Sequence, residues 1–144
     1  MAAETAVEGV TVRQAGPADF DALLPLFQRF YREEGFDDAV DAVAANLRQI
    51  LLRQDTAAFV AESAGTAVAG AYAELEDLYV DPDWRGRGVA SALMQAGFGW
   101  AKARGCRDVE IVLTPHAQAK AGLAPWYEAR GFANTGRLIY ERRL

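Results

Sequence analysis

The chain has 144 residues, about half of them apolar and a quarter charged, with a net charge of −5. That size fits one domain, residues 1–144, with a proper hydrophobic core. A single cysteine, Cys106, excludes an internal disulfide and suits a reducing cytoplasm, the acidic balance argues against a nucleic-acid partner, and no apolar run approaches the ~20 residues that cross a membrane.

Residues 1–9 lack the basic start and apolar centre of a signal peptide and read as a leader. Residues 9–14 alternate polar and apolar and predict a first strand. Asp19 stands as an N-cap candidate before a helix whose apolar positions Phe20, Leu23, Leu24, Phe27 and Phe30 recur at threes and fours. Pro25 interrupts that pattern and predicts a late start or a kink. A polar connection follows, with Glu33, Glu34, Asp37 and Asp38 among Phe30, Tyr31 and Phe36. A second helix is expected over residues 38–53, with Val40, Val43, Leu47, Ile50 and Leu51 inward. Strands are expected over residues 57–63 and 67–73, and a third over 74–80. Residues 67–80 leave room either for a very tight hairpin near Ala73-Glu74 or for one merged strand.

After residue 80 come a turn, a basic glycine-rich loop and an amphipathic helix over residues 89–104. Residues 108–114 predict a buried strand, with Cys106 in a packing role just before it. Residues 115–122 are loop-like and hold His116, for which no second metal ligand stands at a suitable spacing. A helix begins near Ala124-Pro125, since proline is tolerated at the first helical position, and is capped by Gly131. Residues 138–142 predict the last strand. The order β-α-α-β-β-β-α-β-α-β makes the fold α/β with a mixed sheet. The β-α-β part around the glycine loop implies locally parallel pairing.

The loop Arg85-Gly-Arg-Gly88 is the most chemical segment. Gly86 and Gly88 let a ligand approach the backbone and permit positive φ. The helix behind them aims its free N–H groups and positive dipole end at the same place, and Arg85 and Arg87 add full charges. Such a cradle suits a phosphate or pyrophosphate; the plainer alternative is a flexible connection. It is neither a Walker A loop nor a dinucleotide fingerprint, because the required spacings fail. Charge is also split along the chain. Residues 1–80 carry 14 acidic and 5 basic side chains; residues 81–144 carry 6 and 10. Phosphate suits the basic part, and an amine suits the acidic part.

Arg85-x-x-Gly88-x-Ala90 resembles the Arg/Gln-x-x-Gly-x-Gly/Ala signature of the GNAT superfamily of N-acetyltransferases. Leu78-Tyr-Val-Asp-Pro82 is similar to its lead-in, and Trp126-Tyr-Glu-Ala-Arg-Gly-Phe132 resembles its second signature. The resemblance implies a single-domain acyl-CoA N-acyltransferase-like fold. Its central sheet would be mixed, mostly antiparallel and splayed at the cofactor strand, flanked by about four helices, with the hairpin before the cofactor loop, residues 67–80, shortened. It implies acetyl transfer from acetyl-CoA to a primary amine by direct attack in a ternary complex, without a metal. The donor would be held by Leu78, Tyr79 and Val80 along the strand and by Arg85, Gly86, Arg87, Gly88, Val89, Ala90 and Ser91 at the cradle.

The same resemblance makes Tyr127 the acid that protonates the leaving thiolate, the alternative being a packing role beside Trp126. Either Glu74 or Glu76 would take the proton from the amine; the alternative leaves both as solvent-facing or amine-binding charges. Lys120 stands where the family often has asparagine. Small amines, polyamines, aminoglycosides and protein lysines all stay open as acceptors, and homodimers are frequent in the family. A reading of a different class is a non-catalytic acetyl-CoA-binding sensor or structural module, and a third is a generic nucleotide-binding domain.

Overall fold

Four strands form one antiparallel sheet in the order β1-β2-β3-β4: β1 Thr11–Gln14, β2 Ala58–Ser63, β3 Thr66–Tyr72 and β4 Asp77–Val80. The structure is a computed structural model, and it describes residues 7–36, 40–72, 77–120, 122–140 and 142. The chain divides into two compact units, Met1–Val112 and Leu113–Leu144.

In the first unit the sheet is covered on both faces. Helices α1 (Phe20–Glu33) and α2 (Ala42–Leu52) supply Leu23, Leu26, Phe27, Val43 and Leu47, which pack with Ala58, Val60 and Tyr79. Helix α3 (Val89–Ala103) supplies Val89 and Leu93 to a second cluster with Phe59, Ala61, Val68, Ala69 and Val80. The period of two along β2 accounts for the split: Ala58 and Val60 serve one cluster, Phe59 and Ala61 the other. A strand buried on both faces reads as a continuous apolar run, as Ala58-Phe-Val-Ala61 does. Each large side chain so buried contributes about 1.5–3 kcal/mol.

Two local expectations need refinement. Helix α1 runs unbroken through Pro25. The missing N–H and the ring clash are expensive in a helix interior, yet Leu23, Leu26 and Phe27 on either side are at most 2% exposed, and their burial outweighs that loss. Asp19 precedes α1 but does not cap it with its side chain. Its carboxylate instead accepts from the Gly16 N–H at 2.8 Å and pairs with Arg13, which also meets Glu62 at 2.7 Å. The Arg13 guanidinium holds the Asp19 carboxyl below its ordinary range.

The β3–β4 segment forms two antiparallel strands and not one merged strand; the turn expected near Ala73-Glu74 lies outside the described residues. Tyr72 pairs with Asp77, so residues 73–76, outside the described set, make the connection. Gly70 in β3 sits under α1: a Cβ there would stand 2.9 Å from Leu23 Cδ2 and 3.1 Å from Phe27 Cζ. Glycine at this point lets the helix lie close on the sheet.

The second unit holds α4 (Pro115–Ala119) and α5 (Leu123–Glu128). Helix α4 falls within the expected loop; the Thr114 hydroxyl accepts from the Ala117 N–H at 3.1 Å and caps it. Past α5, Gly131 has φ +90°. Its N–H donates to the Glu128 carbonyl at 3.1 Å, and the Phe132 N–H donates to the Tyr127 carbonyl at 3.3 Å. This is the glycine stop that the sequence predicts.

Four expectations are corrected. Residues 108–114 and 138–142 form no strand among the described residues, and the described sheet is antiparallel throughout, without the parallel pair expected around the loop. A β-branched run becomes a strand only where a neighbouring edge completes its hydrogen bonds. Here Val112, Leu138 and Ile139 are exposed. Cys106 is likewise exposed, not packed. Among the described residues, no helix is long and apolar enough to cross a membrane.

The close approach at Gly70 is testable. Gly70→Val should lower stability by roughly 1–3 kcal/mol, the usual cost of overpacking a full core. A urea-unfolding midpoint equal to the wild type would refute the contact.

Candidate functional site

The site begins at β4. Its register against β3 pairs Tyr79 with Gly70 and Val80 with Ala69, and the Asp81 N–H continues the ladder to the Val68 carbonyl at 2.9 Å. In an antiparallel pair, alternate residues turn their backbone groups toward the partner. Asp81 and Tyr79 therefore face β3, while Leu78 and Val80 turn their N–H and C=O groups to the outer edge. Since β4 ends the described sheet, that edge can receive an extended chain. Of the three strand residues expected to hold a donor, Leu78 and Val80 offer backbone groups outward. Tyr79 points its side chain into the α1 face, where it is 3% exposed.

Beyond β4, a single 3-10 turn, Pro82–Trp84, is capped by Asp81, whose Oδ1 accepts from the Asp83 N–H at 3.1 Å. The chain then passes through Gly86 at φ +73° and Gly88 at φ +84°. Gly88 is the N-cap of α3 and gives it no side-chain cap. The Ala92 N–H takes up the Gly88 carbonyl at 3.0 Å, so the Val89 and Ala90 N–H groups have no acceptor within the helix. Val89 is 1% exposed and Ala90 is half-buried, so both can offer only backbone to a ligand; half-buried Ser91 lies in the same turn. Around Gly86 a Cβ would meet nothing, which leaves the backbone open to close approach. Left-handed glycines, an uncapped helix start and nearby cations form a donor set that fits a phosphate or diphosphate.

The two arginines of the loop are used differently. The Arg87 guanidinium lies over the Trp84 ring, 4.7 Å from its centroid. Arg85 folds back onto β4. Its Nε donates to the outward Val80 carbonyl at 2.9 Å, and its Nη2 donates to Glu33 Oε2 at 2.8 Å. Glu33 Oε1 accepts from the Tyr79 hydroxyl at 2.9 Å. Arg29 pairs with Asp81 at 3.1 Å and lies 6.0 Å from the Tyr79 ring centre. Burial and then the Glu33 carboxylate raise the Tyr79 phenol above its ordinary pKa.

Sequence reasoning placed Glu33 in a polar connection. It is the last residue of α1, 46 residues from Tyr79 and 52 from Arg85, and no local spacing signals so long a link. Phe30, Tyr31 and Phe36 lie along the same end of α1. Phe30 is 6.1 Å from Tyr79, Tyr31 5.8 Å from Phe30 and Phe36 5.9 Å from Tyr31, between ring centres. Glu34 is half-buried. Glu74, Glu76, Asp37 and Asp38 lie outside the described residues.

In the second unit, Tyr127 is half-buried in α5, edge-to-face with Trp126 at 5.0 Å and with Phe132 at 5.5 Å. Lys120 is the exposed residue that ends α4, and His116 is exposed within it. Among the described residues no three metal-ligating side chains come together.

Comparison with known proteins gives one consistent picture. The Acetyltransferase (GNAT) family matches residues 20–132. An aminoglycoside N(6')-acetyltransferase type 1 of Stenotrophomonas maltophilia is 32% identical, over 92% of both chains. An uncharacterized N-acetyltransferase of Methanocaldococcus jannaschii is 28% identical over 88% of this chain, which spans 62% of that relative's length. The solved structure of AAC(6')-Iy with a bisubstrate analogue, CoA-S-monomethyl-acetylneamine, superposes with a TM-score of 0.78 at 26% identity. It covers 94% of this chain and 98% of its own.

The Glu33 contact is open to direct titration. The ultraviolet step of Tyr79, identified by its disappearance in Tyr79→Phe, should lie above that of a free phenol. It should move down in Glu33→Gln, because removing the carboxylate removes a charge that opposes the phenolate. A step that stays in place would show that Glu33 does not face the phenol in solution.

Proposed function

The chain belongs to the acetyltransferase (GNAT) family and is an acetyl-CoA-dependent N-acetyltransferase, and from that premise we propose that its acceptor is an aminoglycoside or a closely similar polycationic amino sugar. The observation that carries this reading is the match, over 92% of both chains, to an aminoglycoside N(6')-acetyltransferase. Charge supports it: residues 1–80 hold 14 acidic side chains against 5 basic, which favours a ligand bearing several ammonium groups. The reading takes residues 1–144 as one domain, since the family match runs through both units.

Acetyl-CoA supplies a thioester-activated acetyl group. The Gly86–Ser91 backbone binds its phosphates. The outward groups of Leu78 and Val80 align its extended arm, and an N–H on that edge stabilises negative charge on the thioester oxygen. An ammonium is not a nucleophile, so a base must first take its proton. A carboxylate of Glu74 or Glu76 fills that role in this reading. The amine then attacks directly, without an acyl-enzyme, and Tyr127 Oη gives its proton to the leaving thiolate. An ordinary phenol, with a pKa near 10, is a suitable acid for that step.

Thiol release should be followed with acetyl-CoA and neamine, spermidine or a lysine peptide as acceptor. Neamine should support the fastest turnover. Turnover with spermidine or the peptide alone would overturn the acceptor, and turnover with none would favour a non-catalytic acetyl-CoA-binding module. Tyr127→Phe should slow neamine acetylation by about 10²-fold or more, the usual worth of a general acid, while calorimetry shows CoA still bound. Unchanged turnover would remove Tyr127 from the mechanism.

A further inference from the structure

We propose that Glu33 and Arg85 are positioning residues that fix the outer edge of β4 as the seat for the donor's extended arm, while the cation offered to the donor's phosphates is Arg87. This deepens the donor reading above and rests on it.

The geometry of Arg85 carries the argument. An arginine in a phosphate loop is expected to aim at the phosphates. Here its Nε closes the Val80 carbonyl and its Nη2 is held by Glu33, with the guanidinium carbon 5.4 Å from the Tyr79 ring centre. Its charge is met by a carboxylate, and its Nε and one Nη2 donor are engaged by β4 and α1. Glu33 is committed to the same corner through its other oxygen, which accepts from Tyr79.

Closing the Val80 carbonyl changes what the edge can accept. The outward groups that remain are the Val80 N–H and both backbone groups of Leu78. A chain lying along β4 then meets an acceptor in the Leu78 carbonyl and donors in the Leu78 and Val80 N–H groups, while a donor at the Val80 carbonyl would share that oxygen with Arg85. Edge pairing is otherwise prone to slip in register, and one acceptor already engaged by Arg85 disfavours the shifted alternatives. The Arg85–Glu33 pair is 49% and 38% exposed at its side chains, and exposed pairs contribute little to stability. Its consequence is therefore geometric. Arg87 differs in each respect. Among the described residues no carboxylate pairs with it, and it is laid over Trp84 between the two left-handed glycines.

Amide nuclear magnetic resonance with added CoA separates these roles. In the wild type, CoA should shift the amides of Leu78 and Val80 as well as those of residues 86–91. In Glu33→Gln and Arg85→Gln the shifts at Leu78 and Val80 should shrink severalfold while those at residues 86–91 persist. Arg87→Gln should do the reverse. By calorimetry it should bind CoA about tenfold more weakly, the scale of one charge-assisted contact, with reduced sensitivity to salt. Arg85→Gln should keep the wild-type salt sensitivity. The near-isosteric Glu33→Gln keeps the test decisive if Arg85→Gln folds poorly. Unchanged Leu78 and Val80 shifts in Glu33→Gln, or a flattened salt dependence in Arg85→Gln, would overturn the proposal. A wild type whose amides ignore CoA at both segments would remove the donor reading itself.

Discussion

The register of β4 against β3 decides how everything around the site is used. With Tyr79 opposite Gly70, the Tyr79 backbone is consumed by the ladder and its ring enters the α1 face. Leu78 and Val80 take the opposite roles, with side chains toward α3 and backbone outward. A slip of one residue would exchange these assignments. It would put the phenol among the α3 contacts and aim the Tyr79 backbone at the open edge. Gly70 supports the register from the other side. Its missing side chain lets Leu23 and Phe27 lie flat on β3, which brings the end of α1, and with it Glu33, within reach of Tyr79. The strand edge, the ring and the carboxylate thus follow from one pairing.

Electrostatics at the loop depends on neutralisation as much as on positive charge. Arg29 is met by Asp81 and Arg85 by Glu33. Two of the cations nearest β4 therefore add little to the field a phosphate feels. Among the described residues of the loop, what remains is the helix start behind Gly88 and the guanidinium of Arg87. A helix N-terminus amounts to about half a charge, and one added cation roughly triples it, without the repulsion that three clustered arginines would feel. The basic balance of residues 81–144 is consequently a weaker guide than the partner of each arginine.

What was legible in the sequence was whatever local periodicity or backbone chemistry determines. The spacing Leu23, Phe27 fixed the buried face of α1. The apolar run of residues 58–61 marked a strand, and Gly88 and Gly131 announced the left-handed turns that start and end their helices. The failures share one cause, dependence on a distant partner. Residues 109–113 have the composition of a strand, but strand formation requires an edge to complete it. Asp19 has the composition of a cap, but Arg13 and the Gly16 N–H compete for its oxygens. Glu33 looked like a solvated helix end because its partners lie far along the chain. At the loop, the spacing Arg85-x-x-Gly88-x-Ala90 pointed to the cradle, yet nothing in it distinguishes an arginine facing a phosphate from one folded onto a carbonyl.

The short sequence between β3 and β4 has a consequence for the acceptor side. With Tyr72 paired to Asp77, no long arm lies between these strands to wall off a second substrate. In the first unit, the surface next to the end of β4 is instead supplied by α1 and the residues after it. There Phe30, Tyr31 and Phe36 continue the line of rings that starts at Tyr79. Ring faces attract organic cations, and more strongly where water is partly excluded. Carboxylates at residues 33 and 34 add charge but, in Glu33, already have a cation in Arg85. A ligand carrying one ammonium would gain little by competing with that guanidinium. A ligand carrying several ammonium groups can meet the rings as well as that carboxylate, which is the property the proposed acceptor would supply.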